Sequence, residues 1–210
     1  MKALSAFYPR ILPHLPGCPE ALVDQVLVDA AIEFCDSSLV LRQRLDSFNT
    51  VVDKVQYDLD PPSIQHDINR VLGVTLDGKE LSPGMAEVIR GDLPTAAAKP
   101  RGFYTDRTDS IFTLMLSPPP DKVYSVIVSV ALSPARTATQ LEDDLYNTWI
   151  DQITSSAIAR AMQIPGQPFS NPARAQSLLD SVARQTVRSR IEGNYGMIRG
   201  SMRVRSRPFA

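Results

Sequence analysis

Two hydrophobic periods succeed one another along this chain. Between Pro19 and Leu45, apolar residues recur three and four apart, at Leu22, Val23, Val26, Leu27, Ala30, Ala31, Phe34 and Cys35. That spacing lays a wide apolar stripe along one helix, with Pro19 at the first helical position. Glu20, Asp24 and Asp29 near its start, and Arg42 and Arg44 near its end, agree with the macrodipole. After Asn49 the period drops to two. Thr50–Asp60 reads as a half-buried strand, with Val51, Val55 and Tyr57 on one face, ended by Pro61-Pro62. Asp67–Leu76 is the next strand, and Asp77-Gly78 is a two-residue hairpin turn, because glycine supplies the positive φ. Lys79–Leu81 is the short return. Ser82-Pro83-Gly84 caps a short helix through Arg90, and Asp92–Pro100 is a loop.

The stretch from Arg101 to Leu132 reads as three strands with short links. Arg101–Arg107 is extended and Thr108-Asp109 turns the chain. Ile111–Leu116 is apolar on both faces, as a mid-sheet strand is. The run Ser117-Pro118-Pro119-Pro120-Asp121 ends it, since proline offers no N–H to a ladder. Val123–Leu132 is the third strand, rich in valine. The expectation is an antiparallel meander at the centre of a β-domain.

The helical period then returns. From Thr139, one helix carries Leu141, Leu145, Trp149, Ile153, Ala157 and Ala161 in a row, with Tyr146, Ile150, Ile158 and Met162 beside it. Pro165-Gly166 ends it. Asn171-Pro172 starts a last helix running to Ile191 through Ala175, Leu178, Leu179 and Val182. Helices flanking a run of strands predict an α+β fold: a helical bundle from both chain ends with an inserted antiparallel β-domain. The expected divisions are 1–46 (N-terminal bundle helix), 47–136 (antiparallel β-domain with a short helix), 137–192 (two C-terminal bundle helices) and 193–210 (basic extended tail).

Charge changes this picture at one place. From Arg184 onward there are seven arginines against Glu192 alone, net +6, so the first 183 residues carry −7 within a whole-chain charge of −1. An acidic body with an arginine tail predicts an acidic partner for the tail. No apolar run reaches about 18 residues, so no membrane span is expected. Prolines 9, 13 and 16 interrupt the first residues, which argues against a signal peptide. Cys18 and Cys35 lack metal or redox spacing and read as free thiols in a reducing compartment.

Candidate chemistry is sparse. His14 and His66 stand apart, and no phosphate loop, nucleophile elbow or dinucleotide fingerprint is present. Glu142, Asp143 and Asp144 crowd a helix start, where acidic residues favour the dipole, and are read so rather than as a metal site. Asp58 and Asp60 read as a strand end and turn. The chain is therefore read as no enzyme, with no catalytic residue, metal or cofactor.

Several ordered stretches resemble one family. They are LPGCPEALVDQVLVDAAIEFCDSS, KVQYDLD, VLGVTLDGKEL, RGFYTDRTDSIFTLMLSPPPDKVYSVIVSVALSP and the basic end RGSMRVRSRPFA. In this order they resemble the head-to-tail adaptor (connector, or tubular tail) proteins of short-tailed bacteriophages. The resemblance covers nearly the whole chain; Met85–Arg90 and the loop Ala96–Pro100 depart from the pattern.

The resemblance implies a structural virion protein at the head–tail interface, made in the host cytoplasm. It implies a dodecameric ring of self-contacts below the portal protein, met on its far side by tail nozzle or tail tube proteins. Genomic DNA would pass through the channel without sequence-specific binding, and no membrane is involved. Arg199, Met202, Arg203, Val204, Arg205, Arg207 and Phe209 would form the portal-docking tail, and Leu145, Trp149 and Ile153 an inter-subunit helix. Two alternatives stay open. One is a DNA-binding protein acting through the arginine-rich C-terminus. The other is a tail-associated β-module.

Overall fold

The computed structural model describes residues 1–84, 96–108 and 111–195. The chain opens with β1 (Lys2–Ala3), a 3₁₀ turn and α1 (Tyr8–Ile11), then α2 (Glu20–Ser38). The strands β2 (Arg42–Arg44), β3 (Phe48–Asn49), β4 (Gln56–Leu59), β5 (His66–Leu76), β6 (Lys79–Glu80) and β7 (Ser82–Pro83) follow. Next come β8 (Gly102–Thr108), β9 (Ile111–Ser117), β10 (Ser125–Pro134) and β11 (Gln140–Leu141). Three helices close the described chain: α3 (Asp143–Asn147), α4 (Ile150–Met162) and α5 (Pro172–Tyr195).

The expected helical bundle from both chain ends, with a separate inserted β-domain, is not the architecture. The fold is mixed α/β and dominated by sheet, with eleven strands in three sheets and five α-helices among the described residues. The first residues of the chain form a strand, β1, against β11. The reason lies in α2. Val23, Val26, Leu27, Val28, Ala30, Ala31, Phe34 and Cys35 are all buried, which wraps apolar surface around most of the helix. A helix of that kind fills the space between layers. It packs on β10 from one side and on α4 from the other. Side chains from the helices and both larger sheets join in one continuous core.

The meander is also corrected. β8 and β9 pair antiparallel, but β9 turns its other edge to β4, giving the order β4-β9-β8-β7. β10 belongs to the other sheet, where it lies between β5 on one edge and β2 and β3 on the other. Pro118–Pro120 therefore carries the chain from sheet to sheet, because prolines cannot continue a ladder. Asp77 (φ 49°) and Gly78 (φ 77°) form the expected left-handed turn between β5 and β6.

Three element boundaries differ from expectation for local reasons. The first helix ends at Ser38, not Leu45. The Ser37 and Ser38 hydroxyls both donate to the Phe34 carbonyl, at 3.0 and 2.6 Å, competing with the helical ladder. Leu39 then turns left-handed at φ 54°. Of the strand expected over Thr50–Asp60 only β4 forms, after the chain turns at Asp53 (φ 61°). The helix expected from Thr139 is a strand, β11, followed by two helices, α3 and α4, with a break at Thr148-Trp149. The short helix expected through Arg90 and the turn at Thr108-Asp109 fall wholly or partly outside the described residues; Ser82–Pro83 itself is strand, parallel to β8.

Trp149 packs on Phe34 of α2 with ring centroids 5.5 Å apart. Replacing Trp149 by Ala should cost about 3–5 kcal/mol and lower the melting temperature by several degrees. An unchanged melting curve by circular dichroism would mean that α2 and the α3–α4 break do not depend on this contact.

Candidate protein-interaction site

α2, α4 and α5 leave a groove between them. It is lined by the apolar residues Ala30, Phe34, Leu179, Val182, Ala183 and Val187 and by the polar residues Glu33, Ser37, Gln152, Ser156 and Thr186. The cavity measures about 440 Å³. It stays open because α5 carries few apolar residues that reach inward. Ala175 is fully buried near the helix start, but Leu178, Leu179 and Val182 are only partly buried and Val187 is 63% exposed. The Asn171 side-chain oxygen caps this helix by accepting the Arg174 N–H at 3.1 Å.

Beside the groove, α2 presents Asp29, Glu33 and Asp36, four and three residues apart on one helical face. Arg160 pairs with Glu33, and Arg136 with Asp29 at 3.3 Å. Burial raises the Asp36 carboxyl above its usual range, against the opposing pull of Arg107, Ser133 and Arg136. Gln152 Oε1 is enclosed and has no hydrogen-bond partner among the described residues.

A second surface lies at the far end of β10. Val51 (57%), Val52 (48%) and Val123 (62%) stand exposed together at a loop tip. The tip is tied down by backbone bonds. Thr50 N–H donates to the Tyr124 carbonyl and Tyr124 N–H to Thr50 Oγ1, both at 2.9 Å. Asp53 N–H donates to the Pro120 carbonyl and Ala98 N–H to the Pro119 carbonyl. The Tyr124 hydroxyl donates to Asp121 at 2.6 Å, and that bond above all pushes its pKa up to about 12. Lys99 and Lys122 sit over the Tyr124 ring and Lys54 over Tyr57, 5.2–5.5 Å from the centroids.

The residues singled out from the sequence are distributed differently. Leu145 and Ile153 are fully buried and Trp149 is 7% exposed, enclosed by this chain's own helices. They are interior residues, so a neighbouring subunit cannot meet them. Arg199, Met202, Arg203, Val204, Arg205, Arg207 and Phe209 lie outside the described residues. The acidic trio takes structural partners. Glu142 pairs with His66 at 3.0 Å, Asp143 with the N-terminal amine at 2.9 Å, and Asp144 accepts the Thr148 hydroxyl. No group of residues suited to a metal ion is found among the described residues. Sequence reasoning missed the loop tip. The signal was Asp53, a residue tolerant of positive φ set after two valines.

In comparisons with known proteins, the chain matches no family model and no curated protein.

Cys35, next to Asp36 on α2, is wholly buried, and burial drives its thiol pKa upward; Cys18 is raised in the same way. The thiolate is the reactive form. Folded protein at neutral pH should therefore react slowly with an aromatic disulfide reagent, and both thiols should react at once in denaturant. Rapid modification of the native protein would place α2 away from the core.

Proposed function

We propose that the chain is a head-to-tail adaptor of a short-tailed bacteriophage virion, forming a ring between portal and tail that extends the DNA channel. The ordered resemblance across the chain supports this reading. The structural observation that carries it is the half-open groove along α5, since apolar helix surface left to solvent marks a protein contact. The negative body suits a conduit that passes DNA without holding it, because clustered cations bind phosphates tightly. A heterologous contact repeated by a closing rotation builds a ring.

In this reading the arginine tail docks on the portal. Arg203-Val204-Arg205 has the alternation of a strand and can add to a sheet edge through main-chain hydrogen bonds. The guanidinium groups pair with portal carboxylates in bidentate fashion. Ordering the tail on docking costs entropy, so affinity per unit area is modest.

Deleting Gly200–Ala210 should leave the folded body unchanged and abolish co-sedimentation with purified portals. Changing Arg199, Arg203, Arg205 and Arg207 to Lys should weaken attachment less, because charge survives while the planar fork is lost. Full occupancy by the truncated protein would sink the tail's role. A tight, steeply salt-dependent affinity for DNA in place of portal attachment would support the DNA-binding alternative instead.

A further inference from the structure

We infer that the loop tip of one copy seats in the helical groove of the next. The inference rests on the adaptor reading and names the contact that joins its subunits. One chain carries both an apolar hollow and an apolar protrusion. The hollow is lined by Phe34, Leu179, Val182 and Val187; the protrusion is Val51, Val52 and Val123.

A single copy cannot join the two. Val123 lies two residues before the start of β10, whereas the acidic face of α2 lies beside its end. Asp36 takes a hydrogen bond from Ser133, and Leu132 N–H donates to the Leu41 carbonyl at 2.8 Å. Ten residues of strand separate these ends, about 33 Å at the usual rise. The backbone bonds that tie Thr50, Asp53 and Ala98 to the 119–124 segment keep the tip from swinging back. Two unlike surfaces at opposite ends of one molecule make a heterologous, head-to-tail contact, the type that closes into rings.

The polar groups agree with this occupant. The tip brings Lys54, held over the Tyr57 ring, and Lys99 and Lys122, held over the Tyr124 ring next to Val123. The groove's rim offers Glu33, with Asp36 one turn further on. Both carboxylates already have arginines near, so the lysines set register, and apolar burial supplies most of the attraction.

The test uses two full-length variants at exposed positions, Val123→Asp on the tip and Ala183→Trp in the groove. The native protein should self-associate with rising concentration in sedimentation velocity, and each variant alone should stay monomeric. An equimolar mixture should recover association and stop at heterodimers, because one variant keeps an intact groove and the other an intact tip. For a weak contact, Val123→Cys and Ala183→Cys copies are mixed under air oxidation. A disulfide joining the two variants, absent from either alone, is expected, and the buried Cys18 and Cys35 do not compete. The contact is overturned if neither heterodimer nor cross-variant disulfide forms, or if either variant alone associates like the native protein. It is equally overturned if removing Gly200–Ala210 abolishes the pairing, since the groove would then hold the tail. Portal attachment without pairing removes this contact and leaves the adaptor reading. Pairing without portal attachment does the reverse.

Discussion

The strand Ser125–Pro134 has no face to give to water. Only Ser125 is exposed, and every residue from Val130 onward is buried. Such a strand has to be covered on its faces and paired on its edges. β5 takes one edge over its whole length, through two register irregularities, and β2 and β3 share the other. α2 covers a face. Because α2 spends one side on the strand, only its remaining side is left for other helices. α4 fills that side, and α5 is left over the outer seam with too few inward apolar residues to close it. The groove is thus a remote result of how thoroughly β10 must be enclosed.

Local pattern made much of this legible. The apolar stripe of α2, the alternation in β5, the Asp77-Gly78 turn and the Asn171 cap are each specified within a few residues, so their positions follow from the sequence. Pairing is not local. β9 and β10 are neighbours in sequence and sit in different sheets, because Pro118–Pro120 breaks the ladder but says nothing about where the chain goes next. The same limit applies to the site. Apolar rows on the last helices were visible as rows, but periodicity measures how much surface is apolar, not what covers it. Leu145, Trp149 and Ile153 went inside, while Leu179, Val182 and Val187 were left at the seam. The tip was hidden because Val51 and Val52 fit a period of two until the backbone reverses at Asp53.

The two surfaces differ in how rigidly they are held. The tip is braced by Tyr124, whose main chain bonds Thr50 while its hydroxyl bonds Asp121 and two lysines cover its ring. Exposed valines on a braced loop lose little conformational freedom on contact, which favours association. The groove is held from below by Phe34 against Trp149, so one aromatic pair supports both the core and the floor of the hollow.

The enclosure of β10 also bears on the order in which the protein is made. SVIVSVALSP carries no charge and is rich in β-branched residues, the composition of a segment that aggregates when left unpaired. Yet β2, β3, β5 and α2 all precede it in the chain. Synthesis from the N-terminus delivers the strand after each of its neighbours has left the ribosome. This uncharged stretch therefore emerges after the segments that pair with it and cover it, which shortens the interval in which it could stick to another nascent chain.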